Sequence, residues 1–466
     1  MGYGKSWAVS SFFILSDAAI LYGIFRLAAS LRNMLTPLFG RNILWQTVEP
    51  LAQLGILFGI VVFMLEGLYP GYGLTAVKEL QRMSKSVTLV FFFLAGVSYL
   101  NKPFQELSRA FLLISWFLAL VILPLGHFVL RNIISRFSWY GMPVVVFGDG
   151  AWARQIAASL KQVRRLGWCP ALVLPINAIK HGGMEDIRFD VAIFAPSSTL
   201  SMDKYARILN QNFRKVILVR QTTGLGSVWV EPRDVDGQLG LEFHYNLFDG
   251  SARWIKRLMD VGIGLALSIL IGPLFGFLCL LIVLDSPGPI FFYQERLGKG
   301  TKRFNMIKFR TMAVDAEQRL SELLQSDPAA RAEYKKYHKL THDPRLTRLG
   351  KWLRRFSLDE LPQFLNVLKG EMSLIGPRAY MPSELNTMGD YAPVILCIQP
   401  GLTGWWQVNG RHETTFEERL RMDEYYISNW SLWMDIYILM KTVWVWFWAG
   451  RGRRRLCAKR RWLIYQ

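Results

Sequence analysis

Apolar blocks of membrane length constrain this chain more than any other feature. Four fill the first third, at residues 11–31, 51–68, 86–100 and 111–130, and a fifth spans 261–284. A helix needs about 20 such residues to cross a hydrocarbon core of about 30 Å. The first four together predict a four-helix transmembrane bundle over 1–135. The third block is short for a span, and Glu66 lies inside the second. Lys78, Arg82 and Lys85 fall in the predicted loop between the second and third blocks, and Arg131 and Arg136 follow the fourth. These cations belong on the cytoplasmic side if the N-terminus does too. An even number of spans then delivers the rest of the chain to the cytosol. The first block lacks a small-residue cleavage pattern and reads as a retained anchor.

The fifth block differs in being interrupted at its centre by Gly272-Pro273. A straight span would put every later residue outside the cell, although residues 291–430 are dense in Lys and Arg. A helix that enters the bilayer, kinks at Pro273 and returns to the same face avoids this conflict. This re-entrant helix is the reading preferred here, with a true span as its competitor.

Composition agrees with a membrane protein. The hydrophobic fraction is 52%, with 17 Trp and 30 Phe, and the formal net charge is +20. Such a balance favours anionic lipids and phosphorylated substrates. No basic–aromatic nucleic-acid motif occurs, so nucleic acid is not an expected partner. Cys169, Cys279, Cys397 and Cys457 are scattered without metal-ligand or disulfide spacing. The aromatic run 433–448 precedes a cluster of Arg and Lys at 451–461, which describes a tail lying on an anionic membrane surface.

Between the bundle and the fifth block, residues 140–248 alternate strand-like and helical patterns, predicting a Rossmann-like α/β module. Gly148-Asp-Gly-Ala-Trp-Ala153 follows a buried-strand run and fits a dinucleotide fingerprint. However, the second strand runs into Pro175-Ile-Asn, without the acid expected there. A structural or regulatory module is therefore preferred to a nucleotide site.

The densest chemistry lies in Ser357-Leu-Asp-Glu-Leu-Pro-Gln363. Asp359 and Glu360 are expected at a helix start, with Ser357 as N-cap and Glu360 completing a capping box. The helix dipole would keep the pair ionised. Arg348, Lys351, Arg354, Arg355 and Arg378 crowd around it in sequence. An anionic nucleophile beside phosphate-binding cations points to chemistry on a phosphate.

These residues carry a resemblance. Lys256-Arg257 with Asp260, Lys308-Phe-Arg-Thr-Met312, Asp343-Pro-Arg345, Ser357 to Gln363, Gly370 to Arg378 and Pro400 to Arg411 occur in this order, followed by Asp423 and Asn429-Trp-Ser431. Over about 251–442 the chain resembles a bacterial sugar transferase of the large polyisoprenyl-phosphate hexose-1-phosphate transferase type, nearest those that load galactose phosphate. The resemblance implies a monotopic, α-rich catalytic domain over 251–466. That domain would move a hexose 1-phosphate from a UDP-sugar to undecaprenyl phosphate, initiating cell-surface polysaccharide synthesis. It further implies Asp359 as covalent nucleophile and Glu360 as ligand to Mg²⁺. Lys308, Arg310, Arg354, Arg378, Gln363 and Arg411 would bind substrate, and Pro273 would kink the membrane helix. A homo-oligomer, a dimer, is expected at the bacterial inner membrane with catalysis on its cytoplasmic face. Gly272 stands where the family often has Ser, and Ala379 where it commonly has Pro.

Two other classes compete. A membrane-tethered nucleotide-binding sensor or oxidoreductase would centre on Gly148–Ala153 and would not need Asp359. An envelope scaffold or flippase would need more long spans and a polar intramembrane pathway.

Overall fold

The computed structural model describes residues 2–449 except 40–41, 101–108, 149, 180–188, 197–204, 206–207, 210–211, 220–229, 236–237, 244–246, 248–249, 329–330, 332–342 and 411–413. Two compact units divide at residue 223. Five described helices are long and apolar enough to cross a membrane.

In the first unit, α1 (Gly2–Met34), α2 (Trp45–Leu65), α3 (Ala76–Leu100) and α4 (Arg109–Ile134) share one core. Helix α1 packs on α2 and α4, and α3 packs on the same two. Phe25, Phe63, Phe91 and Phe111 point inward, while Leu57, Phe92, Leu113 and Phe117 face out. Apolar residues on both faces suit helices solvated by lipid. Each helix begins before its apolar block, and α3 starts ten residues ahead of it. Lys78, Arg82 and Lys85 therefore belong to its first turns, not to the expected loop. Burial of Glu79 draws those turns into the packed helix. Glu79 accepts from Arg131 Nε at 2.7 Å and from Arg165 at 2.8 Å. His127 stands 2.7 Å from Asp17 and 3.3 Å from Glu79, and Tyr69 donates to Asp17 at 2.6 Å. Buried charges persist in an apolar interior only when paired in this way.

Strands β1 (Met142–Gly148), β2 (Trp168–Leu174), β3 (Val191–Ala195) and β4 (Lys215–Leu218) form a parallel sheet of order β2-β1-β3-β4, with α5 (Gly150–Gln162) between the first two. The glycine turn has a packing explanation. A Cβ at Gly148 would meet the Ala195 carbonyl oxygen at 2.4 Å, and Gly150 has φ +66°. At the end of β2, where an acid was missed, Ile176 and Ile179 fill the core instead.

The second unit opens with a hairpin of β5 (Val230–Val235) and β6 (Gln238–Phe243), then the 36-residue helix α6 (Gly250–Asp285). Hairpin β7 (Phe291–Leu297) and β8 (Arg303–Phe309) follows, then the surface helix α7 (Ala316–Ser326). Helix α8 (Arg348–Phe356), α9 (Gln363–Lys369), the parallel pair β9 (Ser373–Ile375) and β10 (Gly401–Thr403), α10 (Phe416–Ser428) and α11 (Leu432–Ala449) complete it.

Helix α6 is continuous through Pro273 and touches its own unit at both ends. Near its start, Arg257 donates to the Val367 carbonyl at 2.7 Å and Asp260 accepts from Leu374 N–H at 3.0 Å. Near its end, Leu278 and Ile282 pack with Phe309 and Leu353, and Asp285 accepts from Leu349 N–H at 3.1 Å. Between these contacts Ile269 and Leu270 are 71% and 77% exposed.

A buried polar knot ties α6 to the rest. Lys256 Nζ donates to Asp435 at 2.8 Å and to the Ile375 carbonyl at 2.8 Å. Tyr426 and Trp430 donate to the same carboxylate at 2.7 and 3.1 Å. Asp435, within the aromatic run 433–448, is a fully buried anchor. The basic tail and Arg411 lie outside the described residues.

Candidate active site

Thr347 caps α8 by accepting from Gly350 N–H at 2.9 Å, and Gly350 is obligatory because a Cβ there would meet the Thr311 carbonyl at 2.0 Å. Ser357 ends α8 in the left-handed conformation, φ +56°, with its N–H bonded back to the Leu353 and Arg354 carbonyls. A tight 3₁₀ turn, Leu358–Glu360, follows, and Pro362 precedes α9. The expected capping box does not form. Ser357 is spent on closing α8 and makes no side-chain cap, while the Glu360 carboxylate turns to Lys308 Nζ at 3.2 Å.

This geometry also corrects the expected electrostatics. Asp359 sits in a 3₁₀ turn with no α-helix dipole behind it. Burial raises its pKa from the ordinary value, and the neighbouring Glu360 raises it further, against the opposing pull of Lys308 and Arg354. Asp359 is a half-buried carboxylate held between one anion and two cations. Arg354 is steadied by a 2.9 Å bond from Nε to the Thr311 hydroxyl.

The frame around this turn comes from the other motif residues. Asn366 is wholly buried and accepts from Ile307 N–H at 3.1 Å while donating to the Asn305 carbonyl at 2.9 Å. It thereby fixes α9 to β8, and so Glu360 to Lys308. Gly376, Gly401 and Gly404 let two backbone segments cross: a Cβ at Gly401 would lie 2.0 Å from Gly376 N, and one at Gly404 would lie 2.1 Å from Gly376 O. Asp423 accepts from Arg378 N–H at 3.0 Å and from Tyr380 at 2.8 Å, holding the turn that carries Arg378. Burial pushes Asp423 up to about 7 despite those donors. Asp343 takes Arg345 in a bidentate grip at 2.8 and 2.7 Å.

Of the expected substrate-binding residues, Lys308 and Arg354 reach the acidic pair. Arg310 is directed elsewhere: its guanidinium donates to the Pro287 carbonyl at 3.1 Å and to Ser286, closing the end of α6. Gln363 is buried at the start of α9. Arg378 pairs with Glu384 at 3.6 Å and lies over the Trp406 ring, 5.7 Å from its centroid. Trp406 is thus part of this cluster, with its ring nitrogen donating to Thr414 at 2.9 Å. Two further cations join Arg378. Arg296 is buried on β7, within electrostatic reach of Arg378 and Glu360, and Arg419 lies 5.1 Å over Trp406. Arg296 stands in the run Gln294-Glu-Arg-Leu-Gly298, where a strand position alone carries no sign of a site; Arg419 gave no signal.

A carboxylate pair flanked by two groups of cations, in a unit bearing a long exposed apolar helix, defines a membrane-associated protein equipped for chemistry on a phosphate. The bacterial sugar transferase family matches residues 251–449. The chain is 31% identical over 386 residues to the UDP-galactose-lipid carrier transferase of Erwinia amylovora, covering 78% of this chain and 80% of that protein. It is 30% identical over 374 residues to the undecaprenyl-phosphate galactose phosphotransferase of Salmonella typhimurium, covering 76% and 78%. The exopolysaccharide production protein ExoY of Sinorhizobium fredii is 41% identical over 188 residues, 40% of this chain but 83% of that shorter protein. The chain belongs to the bacterial sugar transferase family.

Proposed function

We propose that this enzyme transfers a hexose 1-phosphate, galactose 1-phosphate, from a UDP-sugar to undecaprenyl phosphate through a phospho-Asp359 intermediate. The observation that carries this reading is the Asp359 carboxylate, half-buried between Lys308, Arg354 and Glu360. The names of the relatives support the substrates. An Asp359 oxygen attacks the sugar-bearing phosphorus; the new O–P bond forms as the bond to UMP breaks, and the electron pair leaves on the UMP phosphate. An oxygen of undecaprenyl phosphate then attacks the same phosphorus, and the Asp359–phosphorus bond breaks to regenerate the carboxylate. Splitting the transfer lets a soluble and a lipid anion use one site in turn. Lys308 and Arg354 neutralise and align the phosphoryl oxygens, which is most of what such a transfer requires.

Mg²⁺ fits this site. The ion takes one or two carboxylates and completes its shell with water and substrate phosphates. Asp359 and Glu360 offer two carboxylates, and the Glu360 side chain is 43% exposed. No group of three or more ligating side chains exists among the described residues, and such an ion needs none. Glu360 would hold it, and it would supply charge neutralisation at the phosphates.

The helices α1–α4 are read as a four-helix transmembrane bundle, and α6 as a re-entrant helix that keeps catalysis on the cytoplasmic face of the inner membrane. Both ends of α6 pack on one unit, which a perpendicular crossing of about 30 Å would separate. Dimerisation remains part of this reading. Single cysteines at Ser251 and Gln294 are expected to react only from the cytoplasmic side of intact cells; opposite accessibility would establish a span. For the reaction, wild-type protein incubated with undecaprenyl phosphate, Mg²⁺ and a panel of UDP-sugars should release UMP, fastest with UDP-galactose. Absence of UMP from every donor would sink the transferase reading.

A further inference from the structure

Two groups of cations flank the acidic pair, and the β7–β8 hairpin sets them apart. Phe292 pairs with Lys308, and Arg296 pairs with Phe304. Side chains two and four residues apart on a strand share a face, so Lys308 and Arg296 project from the same face, about 13 Å apart along the strand. The Lys308 end is the apolar one. Phe309 beside it packs on α6, and Phe292, Tyr293 and Val314 are exposed nearby in sequence and pairing. The Arg296 end is polar. There Arg296 donates to the Ala379 carbonyl at 3.1 Å, alongside the turn carrying Arg378.

Resting on the transferase reading above, we propose that Arg296, Arg378 and Arg419, with Trp406, hold the phosphate of the nucleotide, retaining UMP as it leaves, while Lys308 and Arg354 serve the lipid end. Two guanidiniums over one aromatic ring, with Arg296 within electrostatic reach of Arg378, stand against only the carboxylates Glu384 and Asp423, more cations than the fold needs for pairing. Nε of Arg296 and Nε of Arg419 have no hydrogen-bond partner among the described residues. Arg378 and Arg419 repel each other across Trp406, as do Arg296 and Arg378, and a phosphate dianion relieves both repulsions. Guanidinium forks suit such a ligand better than ammonium groups do. Undecaprenyl phosphate offers the same headgroup chemistry, but its chain confines it to the apolar end. The nucleotide is soluble and can enter from the other.

Arg419→Gln tests this, because Arg419 is only half-buried. In the full-length protein with Mg²⁺, calorimetric affinity for UMP should fall by about tenfold or more, the loss of one charge-assisted contact. Affinity for uridine, which lacks the phosphate, should stay within about twofold on the same grounds. KM for the UDP-sugar should rise while KM for undecaprenyl phosphate does not. Unchanged UMP affinity, an equal loss for uridine, or a rise confined to the lipid KM would overturn the assignment. If Arg419→Gln does not fold, Arg419→Lys decides: it should weaken UMP several-fold and spare uridine, and wild-type UMP affinity would refute the proposal. Wild-type turnover separates the two ideas, since a wild type that releases no UMP refutes the reaction, whereas an active wild type with indifferent Arg419 variants refutes only this pocket.

Discussion

Asp359→Asn is expected to abolish UMP release without loosening the fold. An amide is neither anionic nor a nucleophile toward phosphorus, so turnover should fall below about a thousandth of wild type. The fold should not suffer, for a reason of sign. Burial first, and Glu360 second, raise the Asp359 pKa in the folded protein. Between the unfolded and folded values the native state therefore holds a proton that the unfolded chain has released. The stabilisation this provides is present at low pH and is lost as pH rises through the folded value. At neutral pH the neutral Asn removes the strain of an ionised, half-buried carboxylate, and thermal unfolding should come no earlier than in wild type. The same logic sets the pH profile of kcat/KM. Lys308→Met should move its acid limb higher than in wild type, because Lys308 opposes the rise in the Asp359 pKa. Substantial turnover in Asp359→Asn, or an acid limb that falls in Lys308→Met, would remove Asp359 as the nucleophile.

The largest effect on stability is expected at Lys256 and Asp435. Their 2.8 Å pair is buried, and it joins α6, α10, α11 and β9 through Tyr426, Trp430 and the Ile375 carbonyl. Removing one partner strands a charge in the interior, which typically costs about 3–5 kcal/mol. Lys256→Met should therefore unfold at markedly lower temperature in detergent, and Asp435→Leu likewise. Combining the two should recover much of the loss, since an apolar pair leaves no charge unpaired. A double variant as unstable as the sum of the singles would mean that the pair does not act as a unit.

Sequence patterns revealed elements with strong periodicity and missed what arises only when distant elements meet. The strands of the parallel sheet and the apolar helices follow from local runs of residues. The start of α3 did not, because its first turns are polar and become helical by burying Glu79 against Arg131 and Arg165. Asp359 and Glu360 stood out as an acidic pair among cations, but their conformation did not. A Ser, then Glu three residues on, reads as a capping box, while the chain uses Ser357 to end one helix in the left-handed region. Arg310 looked equivalent to Lys308, yet it sits past the end of β8, where the carbonyls of Ser286 and Pro287 draw it away. Arg296 and Arg419 are separated by more than a hundred residues, and no local pattern shows that both approach Arg378.

The charged cluster among the first four helices has a consequence for how the protein is made. Asp17 lies in α1, and its partner His127 is 110 residues later. Glu79 waits 52 residues for Arg131 and 86 for Arg165, which lies beyond the last of these helices, just before β2. During synthesis, then, a lone carboxylate enters an apolar environment well before its counter-ion exists. The helices cannot complete their final packing one by one as they are made, because Glu79 gains its last partner only when Arg165 returns to it. Closure of the four helices and folding of the sheet that follows are thereby coupled through Glu79 and Arg165.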